Sequence, residues 1–363
     1  MGIRCRLGVW IPESRSVYIL SPSPHTGWIN FAAFTPVLPD VALSPLYSTA
    51  TDSSNHVMAG ARAFIQGVGL WYMIEFDYQE LSVTVEDDVC TVTLDGRGEQ
   101  NMITERMHTE LSTVFRDVSD TDAKVVVITG DGGTFSAGGE LDWLLDCADD
   151  PAKFRQVVRE GERAIRDLLA VRQPIIAKIN GDATGFAATL ALFADVAVAD
   201  ADARIGDPHV NAGLVAGDGG AVIWPMLVGI NQAKELLLTG ELIRGRRAAE
   251  LGLVNRAVES DELDDEVDGL ADSLTDSSQV AIRYTKQAIN TWLEFGVDLI
   301  LRQSLALEAV SQQHPDHREG LEAFLQGRRP TFPSARSDEE DVAAASSHWA
   351  LVIRPSTGRD VPV

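Results

Sequence analysis

The chain has 363 residues, of which 54 are Asp or Glu and only 30 are Lys or Arg, so its formal net charge is −24. A surface this acidic repels nucleic acid and anionic membranes, and we expect neither as a partner. Hydrophobic residues make up 45% of the chain, which suffices for a large core, and its three widely spaced cysteines argue against a disulfide framework or a metal site. Composition therefore predicts a globular protein of a reducing, cytoplasmic compartment.

The first 72 residues differ from the remainder of the chain. They are rich in Ser, Pro and aromatic residues and show no sustained hydrophobic period, whereas a clear pattern begins near Met73. We interpret residues 1–72 as a non-native or disordered extension, with Met73 as the expected start. The alternative is a genuine extension that is poorly ordered.

Strand and helix periodicities alternate after residue 79. Residues 80–95, "ELSVTVEDDVCTVTLD", predict two strands around an Asp-Asp turn, and residues 104–118 predict a helix with Thr104 as its N-cap. Further buried strands are predicted at residues 123–130, 174–181 and 195–200, and further helices at 151–173 and 185–194. This alternation predicts an α/β fold with mainly parallel strands.

Helical spacing dominates after residue 217. The predicted helices are residues 219–229, 231–240, 246–258, 263–276, 279–296, 297–313 and 317–329. The last residues, with "ARSDEEDVAAASS", have the composition of a disordered tail.

Four segments together resemble the crotonase superfamily, the enoyl-CoA hydratase/isomerase family. They are "FSAGGEL" at 135–141, "QPIIAKINGDATGFAATLAL" at 173–192, "ARIGDPHVNAGLVAGDGGAVIWPMLVG" at 203–229 and "HREGLEAFLQGRRPTF" at 317–332. The resemblance implies a crotonase-like ββα spiral core at residues 73–270, a helical trimerisation region at 271–332 and a disordered tail at 333–363. It also implies a homotrimer or a dimer of trimers.

The same resemblance implies an acyl-CoA substrate and no separate cofactor or metal. Family members polarise the thioester carbonyl with two backbone N–H groups, and glycine-rich turns that enter helices can present such donors. By position, the donors here would be the N–H groups of Ala137 and Phe186. Phe186 replaces a common glycine, so the second donor could instead be the N–H of Gly185.

Both glutamates that activate water in typical hydratases are replaced, the first by Thr189 and the second by His209. His209 could act as a general acid or base, or it could be a hydrogen-bonded structural residue. Thr189 could orient water or substrate but cannot act as a base unaided. Asp218 could supply a carboxylate or could cap the next helix, whereas Asp207 is expected in a turn.

The resemblance also implies contacts with CoA. Arg97 is the expected phosphate partner, although a solvated turn residue is an equal alternative. Ser136, Gly138 and Leu141 belong to the first loop that borders the ligand. Phe324 matches a residue that contacts the adenine from a neighbouring subunit.

Three functions remain open from the sequence. The first is an enoyl-CoA hydratase/isomerase-type lyase of fatty acid metabolism that works through His209, Asp218 and the oxyanion hole. The second is another acyl-CoA reaction, such as thioester hydrolysis or decarboxylation, because a His and an Asp also suit attack of water on a carbonyl. The third is a non-catalytic CoA-binding paralogue, which the intact oxyanion loops disfavour.

Overall fold

The computed structural model describes residues 76–96, 98 and 100–335 in full. Before residue 76 it defines strands only, which form an antiparallel sheet in the order β2-β1-β5-β4-β3. These are β1 (Arg4–Ile11), β2 (Ser16–Leu20), β3 (Ala50–Thr51), β4 (Val57–Ile65) and β5 (Val68–Glu75). That residues 1–72 are a non-native or disordered extension stays a prediction, and residues 336–363 of the expected tail lie outside the described residues.

Two sheets carry the strands of the main body. The six-stranded sheet, ordered β14-β11-β9-β8-β7-β6, contains β6 (Leu81–Glu86), β7 (Val89–Leu94), β8 (Val125–Gly130), β9 (Ile175–Ile179), β11 (Val196–Asp200) and β14 (Arg256–Val258). The smaller sheet contains β10 (Ala183–Thr184), β12 (Arg204–Gly206) and β13 (Ile243–Arg244). β6 and β7 are antiparallel, and the other neighbours in the large sheet are parallel. The predicted α/β class is confirmed.

The hairpin of β6 and β7 turns at the predicted Asp-Asp step. Asp87 and Asp88 have φ angles of 46° and 68°. Successive left-handed residues are the geometry of a two-residue hairpin turn whose twist matches the strands, and Asp tolerates it better than most residues. The turn therefore follows from its two residues.

Eleven α-helices are defined within the described residues. They are α1 (Glu105–Ser119), α2 (Leu141–Asp149), α3 (Pro151–Ala170), α4 (Phe186–Leu192), α5 (Gly220–Val228), α6 (Ile230–Thr239), α7 (Gly245–Leu251), α8 (Leu263–Thr275), α9 (Gln279–Gly296), α10 (Arg302–Gln312) and α11 (Pro315–Leu325). A π-helical segment, Val297–Leu301, joins α9 to α10. The Thr104 side chain accepts a hydrogen bond from the Met107 N–H at 3.1 Å, which confirms the predicted cap. Among the described helices, none combines the length and the apolar character that a membrane span requires.

One predicted helix is wrong in its second half. Residues 246–258 were expected to be helical throughout, but α7 ends at Leu251 and Gly252 follows with a φ of 77°. Residues Arg256–Val258 then pair with β11 as the edge strand β14. A left-handed glycine ends the helix, and three residues are too few for strand alternation to be recognised.

All seven residues of α4 are buried. It follows the short strand β10 of the small sheet and begins at Phe186. α5 contacts α4, and α1, which packs against α3, approaches it where the ring of His108 lies 5.3 Å from the ring of Phe186. The segments that carry the predicted site residues therefore converge around α4.

Candidate active site

The loop between β8 and α2 holds the first predicted donor, and most of its amides are already bonded. The N–H of Ser136 donates to the carbonyl of Asp182 at 2.9 Å, and the N–H of Gly138 donates to Ser136 Oγ at 3.2 Å. The N–H of Ala137 donates to the carbonyl of Gln100 at 2.9 Å. The predicted donor Ala137 is therefore not available, because its N–H already has an acceptor.

Gly139 supplies the unengaged amide of this loop. Ile103 forms a parallel bridge with Gly139, using the carbonyl of Gly138 and the N–H of Glu140. That pattern leaves the Gly139 N–H facing away from the bridge, and no described residue accepts from it. We therefore replace Ala137 with Gly139 as the candidate donor.

The second donor loop leads from β10 into α4. Gly185 has a φ of 58° and a ψ of −133°, a conformation open essentially to glycine, and its N–H donates to the carbonyl of Gly206 at 3.0 Å. Gly185 is therefore engaged and is not the alternative donor. The Phe186 N–H is the first of α4, and no described residue accepts from it.

The two loops are locked together. Ser136 bridges Ala183, and the N–H of Thr184 donates to the carbonyl of Ser136 at 3.0 Å. Gly138, with a φ of 87°, passes so close to Thr184 that a Cβ would lie 2.9 Å from Thr184 Oγ1. The candidate donors Gly139 and Phe186 therefore belong to one rigid backbone unit.

His209 follows β12 and lies between two carboxylates. Its Nδ1 is hydrogen-bonded to Asp207 Oδ1, which also accepts from the His209 backbone N–H at 3.3 Å. Its Nε2 lies 3.4 Å from Asp218 Oδ2. Asp207 occupies the predicted turn, but its side chain is fully buried and orients the imidazole, a role that the turn prediction did not include.

Asp218, Thr189 and Glu308 each carry a buried oxygen without a partner, and Thr189 and Glu308 lie beside Gly219 and Gly217, the two neighbours of Asp218. The structure gives no hydrogen bond to Asp218 Oδ1, Thr189 Oγ1 or Glu308 Oε2. Gly219, not Asp218, is the N-cap of α5, so the capping role considered for Asp218 is not realised. Buried oxygens without partners are rare in proteins, and they mark this cluster as a place where a ligand or water would be bound.

Burial and mutual charge set the proton affinities of this cluster. Burial alone would lower the pKa of His209, but the charges of Asp207 and Asp218 and the hydrogen bond that the ring donates to Asp207 hold it well above its usual range. Burial raises the pKa of Asp218 to about 6, against the opposing charge of His209. Burial and the Asp218 charge raise the pKa of Glu308 well above its usual range. The cluster therefore favours an imidazolium at His209 and a protonated carboxyl group at Glu308.

The residues expected to contact CoA are less well assembled. Arg97 lies outside the described residues. Ser136 is fully buried and bonded within its own loop, while Leu141 begins α2 and is half-buried. The ring of Phe324 is 73% exposed on α11 in the single chain. Glu140 precedes α2, and its side chain makes no capping hydrogen bond.

Three residues of the site were missed or undervalued from the sequence. Gly139 could not be chosen over Ala137 because the acceptor that engages Ala137, Gln100, comes from a distant loop. Glu308 belongs to a helix without a recognisable motif, and only the fold brings it beside Asp218. Asp207 carried a signal, since an acidic residue two positions before His209 can bond its own turn.

Comparisons with known proteins agree on one family. Residues 84–335 match the family model described as enoyl-CoA hydratase/isomerase. The crotonyl-CoA hydratase of Syntrophomonas wolfei is 29% identical over 71% of this chain and 99% of its own length. The solved enoyl-CoA hydratase/isomerase from Mycobacterium paratuberculosis superposes with a TM-score of 0.65 and 31% identity, covering 68% of this chain and 99% of that one. A beta-diketone hydrolase from Anabaena, solved with (S)-3-oxocyclohexyl acetic acid, has a TM-score of 0.61 and 27% identity, covering 65% of this chain and 95% of that one.

Proposed function

This chain belongs to the enoyl-CoA hydratase/isomerase family, and from that premise we propose that it is an acyl-CoA-processing enzyme whose proton-transfer group is the His209–Asp218 pair. The observation that carries the proposal is the 3.4 Å contact between His209 Nε2 and Asp218 Oδ2, beside buried oxygens that have no partner. By the family resemblance, His209 stands at the position of one of the two glutamates that perform the proton transfers in typical hydratases.

The Gly139 and Phe186 amides would bind the thioester oxygen. Both lack an acceptor among the described residues, and the hydrogen bonds between their loops fix them relative to each other. Preorganised donors of this kind stabilise the negative charge that develops on the oxygen when the neighbouring carbon loses a proton, by about 3–4 kcal/mol each. An enolate formed in this way is the shared intermediate of hydration and isomerisation.

His209 and Asp218 would move one proton to or from the carbon skeleton. Asp207 holds the ring through Nδ1, so Nε2 is the nitrogen that exchanges a proton with substrate. The raised pKa of His209, caused by the charges of Asp207 and Asp218 against the opposing effect of burial, favours a protonated ring that donates. The Asp218 carboxylate, whose pKa burial raises to about 6, can take up the proton in the reverse direction near neutral pH.

The test uses crotonyl-CoA with the purified full chain. Loss of the enoyl absorbance without release of free thiol indicates hydration, and release of thiol indicates hydrolysis. We expect His209→Gln to lower the rate by about 10²- to 10⁴-fold, the usual contribution of general acid–base catalysis. His314→Gln, which changes a half-exposed histidine outside the site, is the matched control and should leave the rate unchanged. Full activity in His209→Gln would refute the role of the pair.

A second candidate is hydrolytic cleavage beside a carbonyl. Thr189 occupies the position of one missing glutamate and cannot serve as a base, which weakens ordinary water addition. A histidine held by a buried aspartate is a common way to activate a nucleophile for attack on a carbonyl. The beta-diketone hydrolase from Anabaena shares the fold and 27% of the aligned residues. The candidate reaction forms a carbon–oxygen bond from water, breaks the adjacent carbon–carbon bond and protonates the departing carbon.

A cyclic 1,3-diketone separates the two candidates. Hydrolysis consumes the enol absorbance of the diketone and releases one carboxylic acid, which a pH-stat records. Turnover of the diketone without turnover of crotonyl-CoA would favour the hydrolase. Hydration of crotonyl-CoA without diketone cleavage would favour the enoyl-CoA reaction.

We also propose that the chain assembles as a homotrimer or a dimer of trimers through its C-terminal helices. Large apolar side chains on α9 and just after it are exposed in the single chain: Tyr284, Trp292, Phe295 and Leu299. Contiguous exposed apolar side chains usually mark an interface between proteins. Light scattering coupled to size-exclusion chromatography would measure the mass of the assembly.

A further inference from the structure

A second carboxylate–imidazole pair lies apart from His209. His108 on α1 is almost fully buried, and its Nδ1 lies 3.0 Å from Glu160 Oε2 on α3. Glu160 also accepts hydrogen bonds from Thr109 Oγ1 at 3.3 Å and from Gln156 Nε2 at 2.8 Å. Burial opposes its ionisation, but the bonds from His108 and Gln156 outweigh burial and hold the pKa of Glu160 below its usual value. Glu160 is therefore an ionised carboxylate that fixes the His108 ring.

The His108 ring is placed beside the second candidate donor. Its centroid lies 5.3 Å from the ring of Trp143 on α2 and 5.3 Å from the ring of Phe186. Gly161 on α3 leaves the neighbourhood of His108 Nε2 and the Phe186 ring free of a side chain. Among the described residues, the hydrogen bond of this ring is made by Nδ1 with Glu160, which leaves Nε2 to bind a water or a substrate atom.

The charged groups around His108 come from several elements. Glu160 faces it from α3. Asp218 is close enough for His108 to affect its pKa: His209 and, more weakly, His108 both oppose the rise that burial causes in the pKa of Asp218. On the other side, Trp143 shares the wall of a cavity of about 580 Å³ with Glu80, Glu105, Arg106, Glu140, Asp142 and Asp146. His108 thus lies between this acidic cavity and the His209–Asp218 pair.

The proposed function leaves one task without a group. Moving a proton on the carbon skeleton needs one acid–base pair, but adding water or hydrolysing a carbonyl also needs a base that removes a proton from water. Thr189 stands where a glutamate would do this and cannot. His108 has the geometry for the task, since Nδ1 is held by a carboxylate and Nε2 is unpartnered.

We propose that His108, oriented by Glu160, is the second proton-transfer group of this site and accepts a proton from the attacking water. In hydration, the water oxygen bonds to the β-carbon, its proton passes to His108 Nε2, and the electron pair of the double bond takes a proton from His209 at the α-carbon. In hydrolysis, the same water oxygen bonds to the carbonyl carbon and its proton passes to His108 Nε2. The bond from the carbonyl carbon to the leaving sulfur or carbon atom then breaks, and that atom takes the proton from His209. This inference rests on the proposed function of the His209–Asp218 pair.

The experiment separates water activation from proton exchange on carbon. His108→Phe keeps an aromatic ring between Trp143 and Phe186 but removes both nitrogens. Turnover of crotonyl-CoA and of the cyclic diketone reports water attack, whereas uptake of solvent deuterium at the α-carbon of butyryl-CoA reports the His209–Asp218 pair alone. We expect His108→Phe to lose about 10²-fold or more of the water-dependent turnover while it keeps the deuterium uptake.

Glu160→Gln provides a second variant if His108→Phe does not fold. The loss of the carboxylate removes the group that orients the His108 ring, so the water-dependent turnover should fall, by less than in His108→Phe, while the deuterium uptake is kept. A purely structural role for the pair would instead lower the stability and both activities together. Unchanged water-dependent turnover in a folded variant, or an equal fall in both activities, would overturn this inference alone, whereas a wild-type enzyme inactive in all three assays would overturn the proposed function with it.

Discussion

The bond between Asp207 and His209 gives a prediction whose magnitude can be worked from the structure. The Asp207 side chain is completely buried, and its Oδ1 accepts from both Nδ1 and the backbone N–H of His209. Asp207→Asn keeps the shape of the side chain and removes its charge. The backbone turn can persist, because asparagine bonds a turn amide as aspartate does. The variant therefore isolates the effect of the charge on His209.

A hydrogen bond to a charged group contributes about 1.5–3 kcal/mol, and each pKa unit corresponds to about 1.36 kcal/mol. Losing the charge should therefore lower the pKa of His209, because the ring holds its proton less strongly by about 1.5–3 kcal/mol. His209 donates its proton in the proposed mechanism, so activity is lost as the pH rises through this pKa. We expect the basic limb of the kcat profile to move to lower pH, with a fall in kcat at neutral pH.

Two measurements check this prediction. The pH profile of kcat gives the position of the basic limb, and an NMR titration of the His209 ring carbon-bound protons gives its pKa directly. Asp276→Asn, which changes an exposed aspartate after α8, is the control and should alter neither. A folded Asp207→Asn enzyme with an unshifted basic limb would refute the claim that Asp207 sets the proton affinity of His209.

Three further predictions concern stability and assembly. Burial raises the pKa of Asp218 from 3.8 to about 6, so the native state keeps this proton to higher pH than the unfolded chain does. The free energy of unfolding should therefore fall by about 3 kcal/mol as the pH rises through this window. Urea titrations should show this decrease in the wild type and not in Asp218→Asn, and an equal decrease in both would contradict it. Gly138→Ala should lower the free energy of unfolding by about 1–3 kcal/mol, because Gly138 has a positive φ and a Cβ there would come close to Thr184. Gly133→Ala, where a Cβ would meet open space, should leave this free energy unchanged, and thermal unfolding measures both. Trp292→Glu, at a side chain 75% exposed on α9, should reduce the mass measured by light scattering to that of one chain, and an unchanged mass would place the interface elsewhere.

Much of the fold could be predicted because local chemistry and global structure agree. The Asp-Asp turn, the Thr104 cap and the apolar runs of β8, β9 and β11 each carry a local signal that the structure retains. The strand β14 could not be predicted in this way. Its three residues form a strand only because β11 offers an edge to pair with, which is information from the tertiary structure.

The candidate site was predictable in position but not in detail. The resemblance placed His209 where a carboxylate usually stands, and the fold brings it beside Asp218. Which amides remain free is decided by carbonyl groups from other loops, so the engagement of Ala137 by Gln100 had no sequence signal. His108 and Glu160 lie on two different helices and are 52 residues apart in the sequence, so helical spacing alone gives no hint of their pairing.

The central claim is that the His209–Asp218 pair exchanges a proton with the carbon beside a thioester carbonyl. Uptake of solvent deuterium at the α-carbon of butyryl-CoA measures this step directly, without requiring a complete reaction. We predict measurable uptake with the wild-type enzyme and a rate about 10²- to 10⁴-fold lower with a folded His209→Gln variant. Equal rates of uptake in the two enzymes would contradict the claim.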